Sequence, residues 1–241
     1  MIKKEHYIIL ILVIIILAIA IAIINMSHDE NQVTVNNATL AHELLANEST
    51  GSVEVIRNVG NPNGKRIAYV VGLHPLENQT HRTLLKLLPT LTDLDCCYDI
   101  YIVNVTKDIG HYGDGSSDNS LGRQNGQNLA FKYVYPEIVN GSYELAIDVH
   151  SNVGAYQYRT FVFSPVKESL SGEYAQIIAN DSQNISYYVP DSTTSGPYLT
   201  IPLNENGVPA FYFEEYSFAP QSEKDSHMLE LIYKVDDLDF D

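Results

Sequence analysis

Three places in the sequence put side chains that can bind a metal or move a proton at the end of an apolar run. The first is Val70-Val-Gly-Leu-His74-Pro-Leu-Glu77, with His and Glu three residues apart. On the first turn of a helix or in a tight loop, positions i and i+3 point the same way, so His74 and Glu77 can face one ion. The second is Leu145-Ala-Ile-Asp148-Val-His150. Asp148 shares a strand side with His150 and can accept the second ring N–H of a ligating imidazole. The third, Val208-Pro-Ala-Phe-Tyr-Phe-Glu214-Glu215-Tyr216, ends in adjacent carboxylates. Neighbours on a strand face opposite ways, so at most one of them joins a site. Taken singly, each histidine motif is better explained by a buried imidazole satisfied by backbone. Together they describe a Zn²⁺ site of two His and one Glu, with an open fourth position and a further Glu as general base.

Alternating strand and helix patterns must position these groups. Strands are expected at Val53–Arg57, Arg66–Val71, Asp99–Val105, Glu144–Val149, Arg159–Phe163 and Val208–Tyr216. Helices are expected at Glu77–Leu88, Gln127–Val139, Glu168–Asn180 and Glu223–Val235, with Leu84, Leu85, Leu87 and Leu88 facing inward in the first. Thr106–Gly126, rich in Gly and Ser, reads as a long loop. The fold class is α/β, a mostly parallel or mixed sheet flanked by helices. Ligands of such sheets gather at the carboxyl ends of strands, where the three motifs lie.

His74-Pro-Leu-Glu77, then Asp148-Val-His150, then Phe213-Glu214 resemble, in this order, the motifs of the zinc carboxypeptidase superfamily. Their spacing is most similar to its compact aspartoacylase and succinylglutamate desuccinylase branch. The resemblance covers about Ile67 to Tyr216. It implies a zinc-dependent hydrolase of a C–N bond, with His74, Glu77 and His150 as ligands and Glu214, in preference to Glu215, as acid/base. It also implies that Arg123 polarises the scissile carbonyl and that Tyr198 contacts substrate. The family's Asn-Arg pair, which grips a substrate carboxylate, falls here on Ala130-Phe131. Phe cannot replace a guanidinium fork, so a clamp would need Lys132 or Arg159 to reach the pocket. His111-Tyr112 is a candidate cover for the site. His81, four residues after Glu77, is read as a surface residue with ligation as the lesser alternative.

The chain has 241 residues, 14 Lys+Arg against 30 Asp+Glu, and a formal charge of −16. That balance argues against a nucleic-acid partner. With 45% hydrophobic and 18% charged residues there is ample material for a core. The two cysteines, Cys96 and Cys97, are adjacent and expected to be buried or inert, so no disulfide framework or Cys-rich zinc module is available. No Gly-x-Ser-x-Gly or phosphate-loop motif supports a serine-hydrolase or nucleotide reading.

From Tyr7 to Ile24 the chain is uncharged and apolar. About eighteen residues at ~1.5 Å each make roughly 27 Å, close to a bilayer's hydrocarbon thickness. Lys3 and Lys4 precede this run and nothing basic follows it until Arg57, which orients the N-terminus to the cytoplasm and exports the rest. The expected organisation is a cytoplasmic tail at 1–6, a transmembrane anchor at 7–25, a polar stalk at 26–50 and a hydrolase-like domain at 51–241. N-glycosylation acceptor patterns occur at Asn37, Asn47, Asn78, Asn104, Asn140, Asn180 and Asn184.

The expected function is that of a membrane-anchored, extracytoplasmic Zn²⁺ hydrolase of a peptide or N-acyl amino acid substrate. Cell-wall peptides form one such substrate class. The rival is a surface binding or structural protein of the same fold that has lost catalysis, which the missing Asn-Arg pair favours.

Overall fold

The computed structural model describes residues 42–111 and 118–240. The expected anchor and its flanks, Asn37 and Tyr112 lie outside these residues. Among the described residues no helix is long and apolar enough to cross a membrane.

Eight strands form one mixed sheet: β1 (His42–Glu48), β2 (Gly51–Gly60), β3 (Arg66–Val71), β4 (Cys97–Val105), β5 (Leu145–Asn152), β6 (Phe161–Phe163), β7 (Ser186–Tyr187) and β8 (Ala210–Tyr216). Their order is β1-β2-β4-β3-β5-β8-β6-β7. The central β4-β3-β5-β8 run is parallel, as is the β6–β7 pair, whereas β1–β2, β2–β4 and β6–β8 pair antiparallel. Among the described residues six α-helices pack around it: α1 (Asn78–Leu87), α2 (Asp118–Leu129), α3 (Tyr135–Asn140), α4 (Leu170–Asp181), α5 (Thr200–Glu205) and α6 (Gln221–Asp236).

The two-residue period of the strands divides the core. Ile67, Tyr69, Val71, Ile147, Val149, Phe211 and Phe213 pack with Leu84, Tyr174, Ile178, Met228, Leu231 and Val235 of α1, α4 and α6. Ala68, Val70, Ala146 and Ala210 face the other way, onto Leu129 of α2, Ile138 of α3 and Leu203 of α5. β3 and β5 are covered on both faces, which explains why both read as continuous apolar runs. In α1, Leu84 and the following Leu88 are fully buried, while Leu85 and Leu87 are partly so. Cys96 and Cys97 are buried free thiols, and burial pushes the Cys96 thiol up to about 12.

Two boundaries depart from expectation. The sheet begins inside the segment read as stalk, because His42–Glu48 pairs with β2 through a tight turn at Ser49-Thr50. All seven side chains of that strand are exposed or half-buried, so no alternation of buried and exposed positions marks it. The loop expected up to Gly126 instead contains α2. Its glycines pack rather than break the helix: a Cβ at Gly126 would fall on the carbonyl of Leu73, one residue before His74. After α2 a π-helical turn at Ala130–Val134 leads into α3, whose Pro136 lacks an N–H to continue a regular ladder.

This close approach yields a prediction. Gly126→Ala should destabilise the fold by about 1–3 kcal/mol through overpacking against backbone, read as a lower urea midpoint. An unchanged midpoint would mean that α2 does not press on Leu73.

Candidate functional site

β3 ends at Val71, and Gly72 (φ 93°) turns the chain so that Leu73 and His74 leave the sheet over its carboxyl edge. Pro75 opens a 3₁₀ turn, Pro75–Glu77, closed by Glu77 N–H donating to the His74 carbonyl at 3.1 Å. Such a turn nearly eclipses i and i+3, so His74 and Glu77 share one direction. His74 Nδ1 lies 2.9 Å from Glu77 Oε1, and His150 Nδ1 lies 2.9 Å from Glu77 Oε2. The Ser151 N–H donates to Oε2 as well, at 2.9 Å. All three groups are buried, and one ligand atom from each lies within 4.8 Å of the others.

Each imidazole is also held on its far nitrogen. His74 Nε2 faces the Gln127 carboxamide of α2 at 3.1 Å. His150 Nε2 lies 2.9 Å from Asp148 Oδ2, as an ion-pair contact out of line for a straight hydrogen bond, and 3.4 Å from Ser195 Oγ. Both Nδ1 atoms are thereby turned toward one point. Burial opposes charge on all three groups, yet His74 and His150 hold the Glu77 carboxyl well below its ordinary range. His150 is raised despite burial because Asp148 and Glu77 flank it, whereas burial prevails at His74 and lowers it.

The parallel register of β5 and β8 sets His150 directly opposite Glu214. Glu214 therefore lies on the His150 side of the sheet, with a buried Oε2 that has no hydrogen-bond partner among the described residues. Burial pushes its carboxyl up to about 8, with Glu77 and Asp148 reinforcing and His150 and Arg123 opposing. Glu215 faces the other way and is fully engaged by Thr160 Oγ1 (3.1 Å), Tyr216 N–H (2.8 Å) and His227 Nδ1 (2.9 Å).

Arg123, carried by α2, donates to Glu77 Oε1 at 3.3 Å and to Thr194 Oγ1 at 3.1 Å, so it reaches the site. The Tyr198 hydroxyl donates to Gln124 Oε1 of α2 at 3.4 Å, one residue beyond Arg123. Lys132 is turned away: it pairs with Glu48 of β1 and lies over the Tyr133 ring, so the expected substrate contact is not made. Arg159 is stacked over Tyr216, 4.7 Å from its centroid. Phe131 is half exposed and stacked on Tyr135, and so offers no guanidinium in place of the missing pair.

His81 is not at the surface. It is buried, and Nε2 bonds the Val149 carbonyl at 3.0 Å, next to His150. Gln127 and Tyr156 were not singled out by sequence. No local motif marks either one. Tyr156 is raised by burial and then by Glu214, with Glu77 adding to the effect, which places its phenol in the field of the site.

No protein-family model matches the chain, and no curated protein matches it. Solved structures do. Tripeptide-bound cell shape determinant Csd4 of Helicobacter pylori superposes with a TM-score of 0.54 at 13% identity, covering 76% of this chain and 54% of that one. A candidate metallopeptidase from Shewanella denitrificans gives 0.53 at 10% identity, covering 83% and 84%. A candidate carboxypeptidase from Burkholderia mallei gives 0.51 at 14% identity, covering 86% and 66%. The chain thus spans about half the length of Csd4.

His81 supplies a pH test. Burial lowers its pKa to about 4, below the ordinary 6.5, so between these values the unfolded chain binds the proton more readily. Stability present above about pH 6.5 is lost as pH falls toward 4, by about 3 kcal/mol in total. His81→Gln should show a shallower acid loss than wild type in urea titrations, and parallel curves would contradict the buried neutral ring. At these identities the likeness to solved structures is one of architecture, and the chain has the mixed α/β fold shared by these metallopeptidase-like and carboxypeptidase-like structures.

Proposed function

We propose that this protein is a zinc-dependent hydrolase of a peptide or N-acyl amide bond, with His74, Glu77 and His150 holding the metal and Glu214 as general acid/base. The observation that carries the reading is the convergence of two imidazole Nδ1 atoms on one buried carboxylate, beside a second carboxyl, Glu214, whose buried Oε2 has no hydrogen-bond partner among the described residues. Two imidazoles and a carboxylate are a donor set that suits Zn²⁺. When bound, Zn²⁺ supplies Lewis acidity toward the scissile carbonyl and an incoming water.

The chain's own groups divide the remaining work. Asp148 and Gln127 fix the two rings. Glu214, pushed up to about 8, exchanges a proton near neutral pH: it accepts one from water and returns it to the leaving amine. Arg123 brings positive charge to the side of the site where a carbonyl oxygen gains negative charge.

The reading extends to location and substrate. Residues 7–25 form a membrane anchor behind a cytoplasmic tail at 1–6, and the hydrolase domain lies outside the cell. The apolar run and its flanking charges support this placement. The acceptor asparagines Asn47, Asn78, Asn104, Asn140, Asn180 and Asn184 are all exposed, as glycosylation needs. A peptide substrate, including one from the cell wall, is in keeping with the fold shared with tripeptide-bound Csd4. Phe131, in place of a guanidinium, supports a substrate without a gripped terminal carboxylate. It equally supports the second reading, a binding protein of this fold without catalysis.

Two measurements test the proposal. The full chain purified in detergent should carry one zinc by elemental analysis, lost in His74→Ala and His150→Ala; retention of zinc in both variants would sink the ligand assignment. Glu214→Gln should keep the metal and lower turnover about 10²- to 10⁴-fold. The assay would cover cell-wall peptides, C-terminal dipeptides and N-acyl amino acids, with and without chelator. No turnover in a zinc-loaded wild type would decide for the binding protein.

A further inference from the structure

Basic side chains are scarce in this acidic chain, and several are committed to acids. Arg57 pairs with Glu43 and Glu137, Arg66 with Asp99, Lys132 with Glu48 and Arg123 with Glu77. Three others gather elsewhere. Arg82, Lys86 and Lys224 line one open cavity of about 410 Å³ between α1 and α6, together with Gln79, Thr83, Gln221 and Ala219. Gln79, Arg82, Thr83 and Lys86 follow the i, i+3, i+4, i+7 spacing of a single face of α1.

The charges there are not balanced. Lys86 lies 3.2 Å from Asp225. Arg82 has no ion pair among the described residues. Lys224 is only 2% exposed, yet its ammonium bonds only neutral acceptors, Gln79 Oε1 and the Ser217 carbonyl, each at 2.7 Å. Buried ammonium groups are normally paired with an acid. Burial lowers the Lys224 pKa, and Glu215 only partly offsets it. Arg82 and Lys86, four apart on one helix face, also repel each other unless an anion lies between them. Of the three cations lining the cavity, only Lys86 meets a carboxylate at ion-pair distance among the described residues.

We infer that this cavity binds a small doubly charged oxyanion of the phosphate class, with Lys224 at its floor and Arg82 and Lys86 at its rim. Arg and Lys together suit phosphate oxygens, and the start of the 16-residue helix α6 adds its positive end beside Gln221. Nothing in this site takes part in the proposed hydrolysis. Gln79 nevertheless also lines a smaller cavity of about 110 Å³ with Glu77 and Ser151, so the anion site and the Glu77 turn share a wall.

The test is binding of inorganic phosphate to the full chain in detergent, stripped of metal by chelator. Titration calorimetry and ³¹P line width would be followed at constant ionic strength. Saturable binding is expected, at least tenfold weaker in Arg82→Ser/Lys86→Ser, whose side chains are exposed, and unchanged in Arg123→Gln. Lys224→Met, if folded by circular dichroism, should also bind at least tenfold more weakly. No saturable binding, equal binding by the double variant, loss through Arg123→Gln instead, or tighter binding of malonate than of phosphate would each overturn the inference. Because the readout is binding to metal-free protein, the outcome is independent of whether the proposed hydrolase activity exists.

Discussion

A carboxylate withdrawn from water has to be answered by nearby hydrogen-bond donors or positive charge, or else stay protonated. Glu77 is that group here, and its two oxygens are met by His74, His150, the Ser151 N–H and Arg123. Those partners come from the β3 exit, the end of β5 and helix α2. Satisfying one acid therefore ties together three elements distant in sequence. Gly126 serves the same demand, since it lets α2 approach the Leu73 backbone where a Cβ would not fit. The site's polarity and the sheet's packing are for this reason one problem: loosening the α2 contact with Leu73 also loosens the answer to the Glu77 charge.

The second organising fact is strand parity. On β8, adjacent glutamates meet opposite environments: Glu214 shares a side with His150, and Glu215 is absorbed by Thr160 and His227. One acid keeps an oxygen without a hydrogen-bond partner among the described residues and is raised, the other is satisfied, through a one-residue step along a strand. The same alternation puts Asp148 and Tyr212, register partners, on the His150 side, where Tyr212 is held by Ser195 and Thr200.

What was legible in the sequence was what depends on short periods. The three-residue gap of His74 and Glu77, the two-residue gap of Asp148 and His150, and the opposition of Glu214 and Glu215 all survive in the fold. These are consequences of backbone geometry that neighbours cannot alter. What was illegible depends on contacts across long separations. Lys132 was available to a pocket until Glu48, far earlier in the chain, took it up in a strand whose exposed side chains hid it. Helix α2 was hidden by glycines that look like loop residues and serve as packing surfaces. His81 looked exposed because only the Val149 carbonyl, on a distant strand, explains its burial.

The sheet's two margins carry a consequence of their own. β7 is only two residues long, and β1 is interrupted by a register shift between Leu44 and Ala46 and carries Glu43 and Glu48. Neither margin offers a long, flat row of free peptide groups, the feature that lets one sheet recruit another. Self-association through strand addition is thereby disfavoured, and molecules crowded onto a common surface would meet through side chains rather than by extending each other's sheets.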